Sequence, residues 1–187
     1  IASAIFLYGV SFIFGSVNTI NITDLMQIAS TTIKTDKLFL FGIIFVVVGF
    51  CFKVSIAPFH AWTPDVYQGA PTPITSFMAT AVKTASFAAF LRIAATQVFQ
   101  GSQNLIDIIQ WLAVITMIVG NVAALLQTNL KRTLAYSSIA HSGYLLAGVL
   151  TVGLSANSAY SATAVIFYLL TYSVMTIGAF AVLSMIE

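Results

Sequence analysis

The sequence has little charge. Seven Lys/Arg and five Asp/Glu make 6% of its 187 residues, against about 25% in soluble domains. Hydrophobic residues reach 59%, and the mean hydropathy is +1.01. So few charges cannot cover a soluble globule of this length. Intrinsic disorder is excluded too, because it needs low hydrophobicity and high net charge. A formal net charge of +2 offers no basic face for nucleic acid. Cysteine is nearly missing: Cys51 alone permits no disulfide and no Cys-based zinc site. An iron–sulfur cluster needs about four thiolates. The two histidines, His60 and His141, sit in different segments, so a bis-histidine haem is not expected. There is no GxGxxG and no Walker-type loop. No cofactor, metal, nucleotide or nucleic acid is therefore expected on this chain. What remains is an all-α, multi-pass transmembrane bundle with the lipid bilayer as its solvent.

A spanning helix needs about 20 mostly apolar residues, and six such runs can be read, the first truncated. Ile1 to Phe14 is the tail of one span. Residues 16–37 are polar and read as a loop, with room for a short helix capped near Thr23-Asp24. Leu38 to Ile56 is the second span, and Lys53 is its only charge. Pro58 then breaks the helix, since proline has no N–H and its ring clashes with the preceding turn. The stretch from Pro58 to Gln68 is too polar for lipid and too aromatic for a free loop, which suits a half-helix folded into the protein. Ile74 to Ala95, Trp111 to Gln127, Leu134 to Val152 and Ala162 to Ile186 are the remaining spans. Residues 97–109, Lys131-Arg132 and Ser155 to Ser161 read as their connections. The basic residues divide almost evenly between the two sides, so no orientation follows from the positive-inside rule. The chain starts at Ile1 and ends at Glu187 next to apolar runs. Residues 1–187 are therefore expected to be a fragment of one larger polytopic transporter domain.

In such a chain the few charges inside spans are the candidates for chemistry. Lys83 lies about nine residues into its span, roughly 13 Å deep. An intramembrane lysine costs about 2.5–3.5 kcal/mol on insertion scales, and such residues usually face a cavity or a partner. Thr80 and Ser76, at i−3 and i−7, suggest a polar stripe with it. Lys53 lies in the turn whose Val54 carbonyl is left without the Pro58 N–H, and broken helices beside an ionisable residue recur in transporters. A buried lysine can gain and lose a proton near neutral pH, and two of them on neighbouring helices would repel when both are charged. His141 is central in its span, with Ser137 and Tyr144 on the same face, and histidine can shuttle protons. Lys131 precedes that span as a proton-path residue or a positive anchor. Arg92, near a helix end, can snorkel to the headgroups. Asp65 can cap the half-helix, and His60 and Trp62 are structural candidates.

Two runs carry a family resemblance. Phe52-Lys53-Val54-Ser55-Ile56-Ala57-Pro58-Phe59-His60-Ala61-Trp62-Thr63-Pro64-Asp65-Val66-Tyr67-Gln68-Gly69-Ala70-Pro71-Thr72-Pro73 resembles the signature of the antiporter-like membrane subunits of respiratory complex I, nearest their N-type branch. Gln127 to Leu145, with Lys131, His141 and Tyr144, resembles a second family run. The resemblance implies inverted five-helix repeats and proton translocation driven by quinone reduction elsewhere in an NADH-quinone oxidoreductase. It implies a key lysine on a broken helix, matched by Lys53, and a connecting lysine on the next helix, matched by Lys83. Lys131 and His141 match polar positions where the second repeat begins. The partners it implies are protons and the other membrane subunits of the complex. It also implies a partner glutamate and a further lysine, which this chain does not reach, and a bacterial inner membrane as the location. A subunit of a multi-subunit cation/proton antiporter is the alternative. A structural membrane scaffold is the third reading.

Overall fold

A computed structural model describes residues 2–155 and 158–186. Among them every element is helical: α1 (Ala2–Val17), α2 (Ile22–Thr35), α3 (Lys37–Lys53), α4 (Trp62–Gly69), α5 (Thr72–Phe77), a π-turn (Met78–Val82), α6 (Lys83–Ala94), a 3-10 turn (Val98–Gly101), α7 (Gln103–Leu125), α8 (Leu130–Leu154) and α9 (Ser158–Ile186). Among the described residues, four helices are long and apolar enough to cross a membrane: Thr72–Ala94, Gln103–Leu125, Leu130–Leu154 and Ala159–Ile186. A fifth appears if α1 and α2, bent by 76° to each other, count as one broken span. α3 has 17 residues, the lower limit for a span, and the chain beyond it runs on through a break into α4.

Several helices begin earlier than the polar residues suggest, because those residues are caps and first turns. The expected loop 16–37 holds a full helix, α2, whose cap is Asn21 rather than Thr23 or Asp24: its side chain accepts from the Thr23 N–H at 3.2 Å. α7 starts at Gln103, not Trp111. The Ser102 hydroxyl caps it, and the Gln103 amide donates to Asp107 one turn on at 2.9 Å. α8 starts at Leu130, so Lys131 and Arg132 lie in its first turn and not in a connection. Asn129 caps it by accepting from the Arg132 N–H at 3.2 Å. Side-chain caps of this kind satisfy N–H groups that the first turn leaves open. Of the expected loop Ser155 to Ser161, positions 156 and 157 lie outside the described residues, as do Ile1 and Glu187, and 158–161 are already helical. Asp36 caps α3 and also accepts from the Ser16 hydroxyl. The Ser16 hydroxyl first, and then the Leu38 N–H, hold its carboxyl below the usual carboxylate range.

α8 is the central helix: more of it is buried than of the other candidate spans. It packs closely on α7 because glycine lets the backbones meet. A Cβ on Gly120 would sit 2.5 Å from the Ala140 nitrogen. α1 and α3 meet the same way through Gly9 and Gly42. Small residues are how helices approach in lipid, where no hydrophobic force drives them together. A large apolar core joins α3 to α6 through the stacked rings of Phe50 and Phe90, 5.0 Å apart. A smaller one gathers Tyr67, Ala79, Ala135, Phe180 and Leu183 where α4, the π-turn, α8 and α9 meet.

Candidate functional site

The break after α3 comes before Pro58, not at it. The last regular residue is Lys53, and Ser55 adopts a left-handed φ of 64°. Proline dictates this at a distance. Its ring would meet the carbonyl of residue 54, and it biases Ala57 away from helical torsions. Backbone groups freed inside a membrane need partners, and side chains supply them. The Ala57 N–H donates to Thr116 Oγ1 of α7 at 3.0 Å. The Phe52 carbonyl accepts from the Ser55 N–H and from the Trp62 indole N–H at 3.2 Å, and the Phe52 and Trp62 rings stack 5.8 Å apart. Ser55 and Thr63 share a hydroxyl bond of 2.5 Å. Trp62 is thus structural, as its sequence position suggests. The His60 ring packs half-buried with Nδ1 unpartnered.

Lys53 stands exposed at the lip of this break and lines a groove of about 840 Å³ with Phe6, Gly49, Phe77, Ala81 and Ser86. Lys83 faces the other way and is buried to 3% exposure. The structure therefore does not bring the two lysines together. Lys53 also has an open groove beside it.

Lys83 is held from α8. Its Nζ donates to the Ser138 carbonyl at 2.7 Å and to Ser138 Oγ at 2.5 Å, and it lies 5.8 Å from the centre of the Tyr172 ring. Tyr172 OH donates to Ser138 Oγ at 2.8 Å, and Ser142 Oγ donates to the Ser138 carbonyl at 3.0 Å. The expected stripe with Thr80 and Ser76 does not form around Lys83. Thr80 Oγ1 donates to the Ser76 carbonyl on its own helix at 2.7 Å. The π-turn intervenes: one extra residue in the turn rotates the rest of the helix by about 100°, so i−3 and i−7 no longer share the lysine's face.

His141 continues the polar line. Its Nδ1 and Tyr168 OH are 2.5 Å apart, and its ring lies 5.0 Å from that of Tyr172. Tyr144 meets it edge-on at 5.8 Å and accepts from the Asn121 amide at 3.2 Å. Ser137, expected on the same face, is only half-buried. Lys131 reaches the other end of the half-helix, where its Nζ donates to the Ala70 carbonyl at 3.5 Å. Beside it, Arg132 binds Asp65 at 2.6 Å and Gln68 at 3.0 Å. The two basic residues therefore tie α8 to α4 on the side of the 58–73 connection. Arg92 is exposed near the end of α6, in a position to snorkel.

Ser138, Tyr172, Tyr168 and Tyr67 are the members that the sequence does not single out. Ser138 lies three residues before His141 and Tyr172 lies in an apolar run, and neither type is costly enough in a span to attract notice. Tyr67, nearly fully buried on α4, faces Ser138 and Tyr172.

The family described as NADH:quinone oxidoreductase/Mrp antiporter, TM, matches residues 1–187. The NADH-quinone oxidoreductase subunit N of Bdellovibrio bacteriovorus is 67% identical over 186 residues, covering 100% of this chain and 38% of the relative. That of Salinibacter ruber is 50% identical, with 100% and 36% covered. Among solved structures, respiratory complex I from Thermus thermophilus with bound aureothin has a chain that superposes with a TM-score of 0.79 at 42% identity, over 98% of this chain and 37% of that one. The Mrp complex of a Dietzia species gives 0.82 at 25% identity, over 98% and 32%. The chain thus spans less than two-fifths of the length of these relatives.

Proposed function

This chain belongs to the NADH:quinone oxidoreductase/Mrp antiporter membrane family, and on that premise we propose that it is part of a proton-translocating subunit, N-type, of an NADH-quinone oxidoreductase. It is a multi-pass membrane protein of the inner membrane. Its part in the complex is translocation rather than electron transfer, and its partners are the other membrane subunits. Residues 1–187 are one portion of a single transporter domain. Lys83 is the central proton carrier, His141 continues the path, and Lys53 is the carrier at the broken helix. Lys131 acts at the far end of the half-helix, where it reaches the Ala70 carbonyl. The observation that carries this reading is a lysine buried to 3% exposure inside an apolar bundle and hydrogen-bonded to the Ser138 hydroxyl, which Tyr172 also binds, with the His141 ring 5.0 Å from that of Tyr172. Groups of this kind are retained in lipid for ion or proton paths.

The test is Lys83→Met in the full-length protein within its complex. Protons moved per NADH oxidised should fall while the complex still assembles. Unchanged pumping would sink the proposal and favour a structural scaffold. The likeness to the Mrp complex keeps an antiporter in view. Sodium-dependent proton exchange without any quinone reaction would favour that reading.

A further inference from the structure

Ser138 Oγ holds a position that its own valences make unusual. A hydroxyl has two acceptor sites and one proton. Lys83 Nζ and Tyr172 OH both donate to it, at 2.5 Å and 2.8 Å, so both lone pairs are filled and the Ser138 proton is free to point elsewhere. Tyr67 of α4 is buried close by. Among the described residues, Lys83 hydrogen-bonds to no other side chain. Its second bond goes to a backbone carbonyl, which cannot pass a proton on. Any proton leaving the ammonium through protein groups therefore crosses Ser138 Oγ first. On the far side, the Tyr172 ring lies 5.0 Å from His141, which is itself bonded to Tyr168.

Resting on the proposed translocation, we propose that Ser138 and Tyr172 are relay hydroxyls: they connect Lys83 on α6 to the His141–Tyr168 pair between α8 and α9. The balance is simple. Lys83 Nζ gives a proton to Ser138 Oγ as Ser138 gives its own proton to the Tyr172 oxygen, and Tyr172 passes its original proton to Nε2 of His141, which is free to accept it in the tautomer whose Nδ1–H donates to Tyr168 OH. One proton enters and one leaves, both hydroxyls end neutral, and no bond to carbon changes. Before the transfer Tyr172 donates to Ser138, so its O–H must first turn away. That turn gives the relay a direction-setting step.

The experiment uses the full-length protein in its complex, in inverted membrane vesicles, on variants confirmed to assemble. Tyr172→Phe removes one oxygen and leaves the ring beside His141 and Lys83. Proton pumping should fall about 100-fold, the lower range for loss of a proton-transfer group. What remains should show a larger H2O/D2O rate ratio, because proton transfer has become limiting. Ser138→Ala should do the same, and Ser138→Thr, which restores a hydroxyl, should recover pumping. Lys83→Met runs alongside. If Lys83→Met is impaired while Tyr172→Phe keeps the wild-type rate and isotope ratio, the relay is overturned and the proposed function stands. If Ser138→Thr is as slow as Ser138→Ala and neither changes the isotope ratio, the role is packing and the relay is overturned. If Lys83→Met pumps normally, both fall.

Discussion

Thr116→Val tests how the broken helix is held, with almost no change of shape. Valine replaces the hydroxyl by a methyl of similar size, at a position with 0% exposure. The Thr116 hydroxyl donates to the Leu112 carbonyl at 2.5 Å and accepts the Ala57 N–H at 3.0 Å. Leu112 sits inside α7, so its carbonyl keeps the helix's own N–H partner. Ala57 has no such reserve, because it lies in the break and is 1% exposed. Leaving a buried donor unpaired costs about 1–3 kcal/mol, more where no water can reach. Thr116→Ser keeps the hydroxyl and loses one methyl, worth about 0.8 kcal/mol or less in lipid. Valine should thus be worse than serine, the reverse of what apolar packing alone would give. Hydrogen exchange of the Ala57 amide in detergent-solubilised protein reads the effect directly, and a cost of 1–3 kcal/mol is about a 5- to 150-fold rise in exchange. A Thr116→Val protein with wild-type exchange at Ala57, or a Thr116→Ser protein that loses more, would refute the reasoning.

Gly120→Ala should loosen α7 from α8, since its Cβ would meet the Ala140 backbone at 2.5 Å. A loss of about 1–3 kcal/mol would show as a lower thermal midpoint in detergent. Arg132→Ala breaks the pair with Asp65, whose side chain is 74% exposed, and should cost no more than about 1 kcal/mol, with a salt-sensitive part visible in the same melting assay. Asp36 should titrate below an ordinary aspartate, and Ser16→Ala should raise its pKa. Because the folded-state pKa is the lower one, its contribution to stability is present above the unfolded value and is lost as pH falls through the folded value. Acid melting curves of the two proteins should therefore converge at low pH, where the Asp36 contribution is gone from both.

What could be read in the sequence and what could not divide along physical cost. Lys53, Lys83 and the Pro58 break were legible because charge and proline are expensive in a span, and so stand out from an apolar background. Ser138 and Tyr172 cost little there, and only the fold reveals that they meet Lys83. The starts of α7 and α8 were misplaced for a different reason. Ser102, Asn129 and the Gln103-Asp107 spacing are capping and first-turn signals, but beside long apolar runs their polarity reads as loop. The π-turn leaves no compositional trace. It changes which residues share a face, and that is why the stripe expected from Thr80 and Ser76 fails while Lys83 itself is buried against Ser138 of α8.

The π-turn and the break are better understood together. Lys53 faces a groove on one side of the α5–α6 helix, and Lys83, rotated by the π-turn, faces α8 on another. Direct charge repulsion between them is therefore not the short-range contact that their spacing suggests. The continuous contacts run through α4. That half-helix begins where the break beyond Lys53 ends, is pinned to α8 by Arg132 on Asp65 and Gln68 and by Lys131 on Ala70, and carries Tyr67 into the cluster with Ala79 and Ala135 beside Ser138. Packed interiors shift between discrete arrangements rather than deforming smoothly. A change of charge at Lys53 that moved α4 would thus act on Lys83 by moving the wall that carries Tyr67, altering which hydroxyl Ser138 faces. Lys131 and Arg132 hold that wall against α8 at its far end.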